Sequence, residues 1–365
     1  MTPTIAVLGA SGFVGSRLLE VFHLSGFATV RPIVRNYSSL ARLARFNLDW
    51  RVADACDQDA LQTAFKGCDA VVNLVVADAD IIVKNAILSY EAAQAAGVKR
   101  LVFMSSASVH GQAPSPGTDE ASPLHTNHRF AYNNAKVRAE LALAKSRRKG
   151  DVELVILRPA IVYGPRSRWI VDIADQLLCG NAYLVNGGLG VCNSIYVDNL
   201  IEAIQLALSV PSVDREIFLV GDNESVNWYQ FYSLIGSSLG CDPARISRVA
   251  TPCFGSSLLD TFETVRTSKP VQALLPSVPP VLKQAAKGAI KAVSAKPKPS
   301  PWQLPKSISP IITEEMTQLQ SCVFKLPSSK AQLSLGYSAN ISFLEGMKRS
   351  IGWLEFAGYP VISCQ

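Results

Sequence analysis

The segment TIAVLGASGFVGSRLLEVFHLSG, from Thr4 to Gly26, carries the pattern that decides the fold. It starts with a short apolar run typical of a buried strand and ends with apolar residues at helical spacing. Between them, glycines recur every three residues, at Gly9, Gly12 and Gly15. A turn without Cβ atoms lets backbone N–H groups approach a pyrophosphate, toward which the following helix directs its positive end. The segment therefore predicts a dinucleotide-binding strand–turn–helix unit rather than a plain tight turn.

The next strand, TVRPIVRN from Thr29 to Asn36, bears on which dinucleotide is bound. An NAD site usually presents a carboxylate to the adenosine ribose at this point, whereas an NADP site presents an arginine to the 2′-phosphate. The strand ends in Arg35 and Asn36, without an acid. The sequence therefore favours NADP, and NAD remains possible if Arg35 is only a solvated strand end.

Strands and helices continue to alternate after this unit. DWRVADACD and DAVVNLVVA both contain short apolar runs, and a helical segment separates them. Such alternation predicts an α/β protein with a Rossmann-type doubly wound parallel sheet. Asp54 ends one of the strands, where it could accept a hydrogen bond from an adenine amino group or simply shape a turn.

Composition excludes several other kinds of protein. The 365 residues are 48% hydrophobic and 18% charged, and the net charge is +6 without a basic block, so we expect no nucleic-acid binding. The eight cysteines show no CxxC spacing, and the four histidines lack neighbouring ligands, so no metal site is expected. No apolar stretch is long enough for a membrane span, and no signal peptide is apparent. We expect a cytoplasmic protein.

FAYNNAKVRAE, from Phe130 to Glu140, places a tyrosine and a lysine four residues apart. On a helix, Tyr132 and Lys136 would share one face. An ammonium about 4 Å from a phenolate contributes on the order of 4 kcal/mol at an effective dielectric constant of about 20. That is enough to offset about three pKa units, so the pattern predicts a tyrosine whose pKa approaches neutrality. Without other motifs, however, a tyrosine and a lysine at this spacing more often lie together on a solvated helix face.

The order of the motifs is more specific than any one of them. The glycine turn, the serine pair after VKRLVFM, the tyrosine–lysine pair, VELVILRPAIVYGP and NSIYVDNL follow one another at family-like spacing. Over nearly its whole length the chain resembles the extended short-chain dehydrogenases/reductases, also called the NAD-dependent epimerase/dehydratase family. The resemblance implies that Tyr132 is the general acid/base, that Lys136 holds the nicotinamide ribose and lowers the tyrosine pKa, and that Ser106 binds the reacting oxygen. Ser105 is the alternative serine.

The resemblance also implies a division of the chain and a set of cofactor contacts. We expect an NAD(P)-binding Rossmann domain over 1–163 and a smaller, mainly substrate-binding α/β domain over 164–365, with 194–221 returning to the first. Residues 254–320 form an insertion that we expect to act as a lid. The expected cofactor-binding residues are Gly9, Ser11, Gly12, Phe13, Val14, Gly15, Arg35, Asp54, Ala55, Leu74, Val75, Tyr132, Lys136, Pro159 and Val162.

Departures from the family pattern narrow the chemistry. Sugar-nucleotide dehydratases carry an Asp-Glu pair where this chain has Ala107 and Ser108, so dehydration is disfavoured. An epimerase or reductase of a nucleotide sugar and a reductase of a less polar, steroid- or flavonol-like carbonyl compound both remain open. A non-catalytic dinucleotide sensor is a weaker alternative, because it would not need an intact serine, tyrosine and lysine. The expected substrate contacts are Ser105, His110, Arg166, Arg168 and Asn193.

Two further features concern partners. Residues 281–293 read as an amphipathic helix with a lysine every fourth position, suited either to covering the substrate cleft or to peripheral contact with an anionic membrane. The helix from Ile81 to Ala96 and the helix that carries Tyr132 are apolar on more than one side. Family members commonly pair these two helices across a two-fold axis, so the resemblance implies a homodimer.

Overall fold

The computed structural model of the chain describes residues 2–252, 254 and 309–362. Most of the insertion predicted over 254–320, including the amphipathic helix expected at 281–293, therefore lies outside the described residues. Within the described ranges, no helix combines the length and the apolar character that crossing a membrane requires.

A parallel sheet forms the centre of the molecule. Among the described residues its seven strands run in the order β10-β6-β5-β4-β1-β2-β3, and every neighbouring pair is parallel. The strands are β1 Thr4–Leu8, β2 Thr29–Val34, β3 Arg51–Val52, β4 Ala70–Asn73, β5 Arg100–Met104, β6 Glu153–Pro159, β7 Ile161–Tyr163, β8 Tyr183–Val185, β9 Ser194–Tyr196, β10 Ile217–Val220 and β11 Ser247–Val249. The order changes direction at β1, and ligands bind at such a switch point beyond the carboxyl ends of the strands.

Helices cover both faces of this sheet. The helices are α1 Phe13–Ser25, α2 Gln58–Phe65, α3 Ala79–Ala95, α4 Ala131–Arg147, α5 Arg168–Leu178, α6 Val197–Ser209, α7 Trp228–Ser238, α8 Glu314–Gln320, α9 Ser329–Leu335 and α10 Phe343–Phe356. Alternate residues of β1 point to opposite sides: Ile5 and Val7 join the core beneath α1 and α6, whereas Ala6 and Leu8 join the core beneath α2, α3 and α4. The prediction of a Rossmann-type doubly wound α/β sheet is thus confirmed.

A smaller α/β region lies beyond the carboxyl ends of the strands. It contains the strand pairs β7–β9 and β8–β11, and a cluster of aromatic side chains around Tyr163, Phe231 and Phe343. Asn199 ties its parts together, because its amide nitrogen donates to Asp222 at 2.7 Å and to the carbonyl of Ile341 at 2.8 Å. The asparagine of the YVDN motif therefore holds the C-terminal segment against the sheet.

Candidate active site

The turn between β1 and α1 is built for close approach of a ligand. Gly9 has φ 75°, and a Cβ there would lie 2.9 Å from the carbonyl oxygen of Leu74. A Cβ at Gly15 would lie 2.3 Å from the carbonyl oxygen of Gly9. Gly12 caps α1, whose first turn contains no acidic residue and receives no side-chain cap from the described part of the chain. The N–H groups of that turn and the positive end of the helix can therefore face a pyrophosphate.

A cavity of about 1010 Å³ opens at these glycines and extends into the smaller region. It brings the glycine turn, Ser106, Tyr132 and Lys136 to one place. Ser39 and Lys84 also line it, although the sequence analysis did not single them out. All of the predicted cofactor contacts lie on its wall: Gly9, Ser11, Gly12, Phe13, Val14, Gly15, Arg35, Asp54, Ala55, Leu74, Val75, Tyr132, Lys136, Pro159 and Val162.

The side chains of Tyr132 and Ser106 both line the cavity, and the Ser106 hydroxyl is near enough to the phenol to act on its pKa. Ser106 follows strand β5, and Tyr132 lies in the first turn of helix α4. The packing of α4 against the end of β5 therefore brings the two side chains together. The hydroxyl of Ser108 donates to the Ser106 oxygen at 2.9 Å, which orients the serine. Burial raises the pKa of Tyr132 to about 12, and the Ser106 hydroxyl opposes this only in part. The phenol therefore carries its proton at neutral pH.

Lys136 lies one turn further along α4 and is 1% exposed. Its ammonium donates to the carbonyl oxygen of Met104 at 2.8 Å and lies 5.8 Å from the centre of the Tyr132 ring. Burial lowers the pKa of Lys136 to about 8, against the opposing charge of Glu140. The expectation that the pKa of Tyr132 lies near neutrality is thus wrong. The Lys136 ammonium bonds to a backbone carbonyl instead of the phenol, and the effect of burial on the phenol is larger than any stabilisation by the ammonium.

A buried ion pair lies behind Lys136. Glu140 and Arg158 are 3% and 1% exposed, and the guanidinium donates to both carboxylate oxygens, at 3.0 and 2.7 Å. The hydroxyl of Ser105 also donates to Glu140, so it is turned into the protein. Arg158 donates to Nε2 of His110 at 3.1 Å, and burial and this arginine lower the pKa of His110 to about 4. His110 does not line the cavity.

The other expected substrate contacts, Arg166, Arg168 and Asn193, are engaged by other protein groups. Arg168 lines the cavity, but its side chain is 91% exposed and pairs with Asp172 one turn along α5. Arg166 donates to the hydroxyl of Ser16 on α1 at 3.4 Å and does not line the cavity. The amide of Asn193 donates to the carbonyl of Phe324 and accepts from the N–H of Leu326, which fixes a segment of the cavity wall.

The sequence analysis missed the residues that close the cavity opposite β5. Gln112 donates to the Glu315 carboxylate at 2.8 Å, and the indole of Trp228 donates to the carbonyl of Leu319 at 3.0 Å. Trp169 lies on the same side of the cavity. They come from segments separated by up to about two hundred residues, and no local pattern marks them as neighbours. In the described ranges, no group of His, Cys, Asp and Glu side chains could hold a metal ion.

Known proteins resemble this chain in sequence and in fold. An undecaprenyl-diphosphate-linked N-acetylglucosamine 4-epimerase from Escherichia coli O157:H7 is 28% identical and aligns with 66% of this chain and 73% of its own. A 2-alkyl-3-oxoalkanoate reductase from Shewanella oneidensis is 24% identical over 94% and 84%. The crystal structure of a UDP-glucuronic acid 4-epimerase from Bacillus cereus in complex with NAD superposes with a TM-score of 0.69 at 16% identity, covering 97% of this chain and 99% of that one.

The family model for NAD dependent epimerases/dehydratases matches residues 5–221. This range contains the glycine turn, Ser106, Tyr132 and Lys136, together with helix α1, strand β5 and helix α4, which place these residues at the cavity. The glycine turn, whose backbone a Cβ would obstruct, fits the nicotinamide dinucleotide that the family uses. The chain is therefore an enzyme of the NAD dependent epimerase/dehydratase family.

Proposed function

We propose that the protein is an NAD(P)-dependent oxidoreductase that interconverts a secondary alcohol and a ketone, with Tyr132 as the general acid/base. The observation that carries the proposal is the single cavity shared by the glycine turn, the Ser106–Tyr132 pair and Lys136. A dinucleotide and a small substrate can meet there at the end of β5.

Three side chains divide the work. When bound, the nicotinamide ring supplies the hydride to the substrate carbon, or accepts it in the reverse direction. In reduction, Tyr132 donates its phenolic proton to the carbonyl oxygen and regains a proton from solvent; in oxidation it accepts the hydroxyl proton. Ser106 binds the reacting oxygen and orients it toward the phenol. Lys136, whose pKa is about 8, is protonated at neutral pH and donates to the ribose hydroxyls.

The protonation state of Tyr132 supports the reductive direction. A tyrosine whose pKa is raised to about 12 is an acid at pH 7, ready to protonate a carbonyl oxygen. Dehydration is disfavoured, since Ala107 and Ser108 line the cavity where dehydratases place carboxylates, and neither side chain can serve as a strong acid or base.

The relatives leave two substrate classes open. The epimerase from Escherichia coli suggests a sugar diphosphate substrate, and epimerisation would need only oxidation and re-reduction at one carbon. The reductase from Shewanella oneidensis aligns with more of this chain, 94% against 66%, which supports reduction of a less polar ketone. The Ser106, Tyr132 and Lys136 set argues against a non-catalytic sensor.

We also propose that NADP is preferred. Arg35 and Ser39 line the cavity at the end of β2, and no acidic residue stands at this point of the chain. Asp54, the acid on the neighbouring strand end, accepts a hydrogen bond from the N–H of Cys56 and so shapes a turn. An arginine in this place can bind a 2′-phosphate.

Replacement of adjacent serines tests the catalytic assignment. With the ketone that most rapidly oxidises NADPH in a panel of carbonyl compounds, we expect Ser106→Ala to lower kcat by about 10²-fold or more, because a donor to the reacting oxygen is lost. The matched control is Ser105→Ala, which removes a buried hydrogen bond to Glu140; it should lower the free energy of unfolding by about 2 kcal/mol and largely spare kcat. Equal losses of kcat in the two variants would contradict the assignment.

A further inference from the structure

The cavity lining from the chain beyond residue 163 is largely apolar. We call the set Trp169, Val191, Trp228, Leu319 and Leu326 the distal wall. The indole rings of Trp169 and Trp228 have their centres 5.9 Å apart. Trp228 is fully buried and supports Trp169, which is partly exposed. An apolar surface of this kind favours an uncharged ring or chain over a hydrated ionic group.

The distal wall is fixed by hydrogen bonds along its backbone. The N–H of Val191 donates to the carbonyl of Cys322, and Trp228 donates to the carbonyl of Leu319. Gln320 accepts from the N–H of Val185 at 2.6 Å, which anchors the end of α8. The wall is therefore a preformed surface of the kind that small-molecule sites use.

The charges around the distal wall do not suit a diphosphate. The described charged residues that line the cavity are Arg35, Asp54, Lys84, Lys136, Arg168 and Glu315, and among these only Arg168 and Glu315 come from the chain beyond residue 163. The Glu315 carboxylate is held by Gln112 and acts on Tyr132 through its negative charge. The Arg168 guanidinium is almost fully exposed and pairs with Asp172. Two phosphate groups would thus meet a carboxylate near the reacting centre and one solvated cation at the rim.

Asn193, one of the expected substrate contacts, is already engaged. Both functional atoms of the Asn193 amide bond to the backbone of the wall segment, at Phe324 and Leu326. Turning this amide toward a ligand would leave a buried N–H and a carbonyl without partners, which costs about 1–3 kcal/mol for each group.

We propose that the substrate is an uncharged secondary alcohol or ketone with a ring or short apolar chain, held by the distal wall, and that Glu315 excludes anionic substrates such as nucleotide sugars. This inference rests on the proposed function and names the substrate class of that site. The reacting oxygen lies at Ser106 and Tyr132, the apolar body lies on the wall, and the Glu315 carboxylate near the reacting centre repels phosphate groups.

Binding can be measured without turnover. In the full-length Tyr132→Phe variant loaded with NADP⁺, calorimetry with 1-tetralone, an uncharged bicyclic aryl ketone, should give a Kd at least about tenfold lower than UDP-glucose gives. Trp169→Ala added to this variant should weaken 1-tetralone about tenfold or more. Trp50→Ala is the matched control, since Trp50 does not line the cavity.

The charge of Glu315 is tested in the same background. Glu315→Lys should tighten UDP-glucose about tenfold and leave 1-tetralone unchanged, while Glu315→Gln, which keeps the shape, should have a smaller effect. If the Tyr132→Phe variant without a further substitution binds UDP-glucose more tightly than 1-tetralone, the inference is overturned. So would unchanged affinity for 1-tetralone after Trp169→Ala.

A parallel assay separates this inference from the proposed function. Nicotinamide absorbance is followed with the wild-type chain, as oxidation of NADPH by 1-tetralone and as reduction of NADP⁺ by UDP-glucose, which offers secondary hydroxyls and no ketone. If 1-tetralone binds as expected but neither it nor any other ketone in a panel is reduced, and UDP-glucose is not oxidised, the oxidoreductase proposal fails and the preference for uncharged ligands stands. If hydride transfer occurs with UDP-glucose and not with uncharged ketones, the substrate class is wrong and the oxidoreductase proposal stands.

Discussion

Tyr132, Lys136 and Glu140 stand four residues apart on α4 and therefore share one face of the helix. Their spacing suggests a simple pair in which an ammonium lowers the pKa of a phenol. The structure instead connects the ammonium to the carbonyl of Met104 and the carboxylate to Arg158. Each charge is thus satisfied by a different neighbour, and burial sets the pKa of the phenol. Spacing along a helix identified the residues, but only tertiary contacts show which pairs interact.

The lowered pKa of Lys136 leads to a pH prediction. The side chain keeps its proton below about pH 8 and loses it as pH rises through that value. If the ammonium holds the ribose, NADP⁺ affinity should be constant at neutral pH and fall about tenfold above pH 8, since a charged hydrogen bond is lost. Calorimetric titration across this range measures the effect. Lys136→Met should bind more weakly with no such step, and a step of the same size in that variant would assign it to another group.

At the scale of elements, the parts near the glycine turn could be predicted well. The glycine turn, the serine after β5 and the start of α4 are each set by a strand–loop–helix unit, in which local spacing decides which side chains reach the edge of the sheet. The third strand is shorter than its sequence suggested, with two residues, Arg51–Val52. The lining residues of α8 were not predicted singly, although α8 lies in the segment 254–320 that was expected to act as a lid, because Gln320 and Leu319 bond to partners in other elements far along the chain.

The end of β2 carries the cofactor prediction. The strand finishes at Val34, and Arg35 and the 3₁₀ turn of Tyr37–Arg42 follow at the rim of the cavity. We expect NADP⁺ to bind at least about tenfold more tightly than NAD⁺, and Arg35→Asp to reverse this order, because a carboxylate repels a 2′-phosphate and accepts from a ribose hydroxyl. Calorimetry with both dinucleotides measures the ratio.

The control for this substitution has the same change of charge. Arg51 lies on the neighbouring strand β3, pairs with Asp49 and does not line the cavity. Arg51→Asp should therefore leave the NADP⁺ to NAD⁺ ratio as it is in the wild-type chain. Equal affinity of the wild-type chain for both dinucleotides would make Arg35 an ordinary strand-end residue.

For the whole molecule, the division into parts stays a proposal. The strand β10 pairs with β6 in the main sheet although it follows β7 and β8 of the smaller region, which supports a return of the chain over 194–221. We propose that 1–163 binds the dinucleotide and that 164–365 supplies most of the substrate contacts. The role of 254–320 as a lid is an expectation from sequence, and most of that segment lies outside the described residues.

We also propose a homodimer through α3 and α4, which pack against each other on one face of the sheet. Leu141 on the outer side of α4 is 58% exposed, and covering it in a helix–helix interface would remove apolar surface from water. Glu91 is an exposed charge on α3, so the interface would be mixed rather than purely apolar.

Light scattering at micromolar concentration tests this assembly. We expect a mass twice the 39.3 kDa of one chain, and Leu141→Glu should give monomers because a charge would be buried in the interface. Leu344→Glu is the control, since Leu344 is similarly exposed, at 66%, on the distant helix α10. A wild-type chain that scatters as a monomer would refute the dimer.

The central claim is that Tyr132 transfers the proton that accompanies hydride transfer. Single-turnover oxidation of bound NADPH, followed by nicotinamide absorbance in Tyr132→Phe, tests it most directly, with Tyr37→Phe as the control because Tyr37 is 71% exposed and does not line the cavity. We expect Tyr132→Phe to slow hydride transfer by about 10²–10⁴-fold while NADPH affinity stays nearly unchanged, since only the transferable proton is removed. Hydride transfer at the wild-type rate in Tyr132→Phe would contradict the assignment of Tyr132.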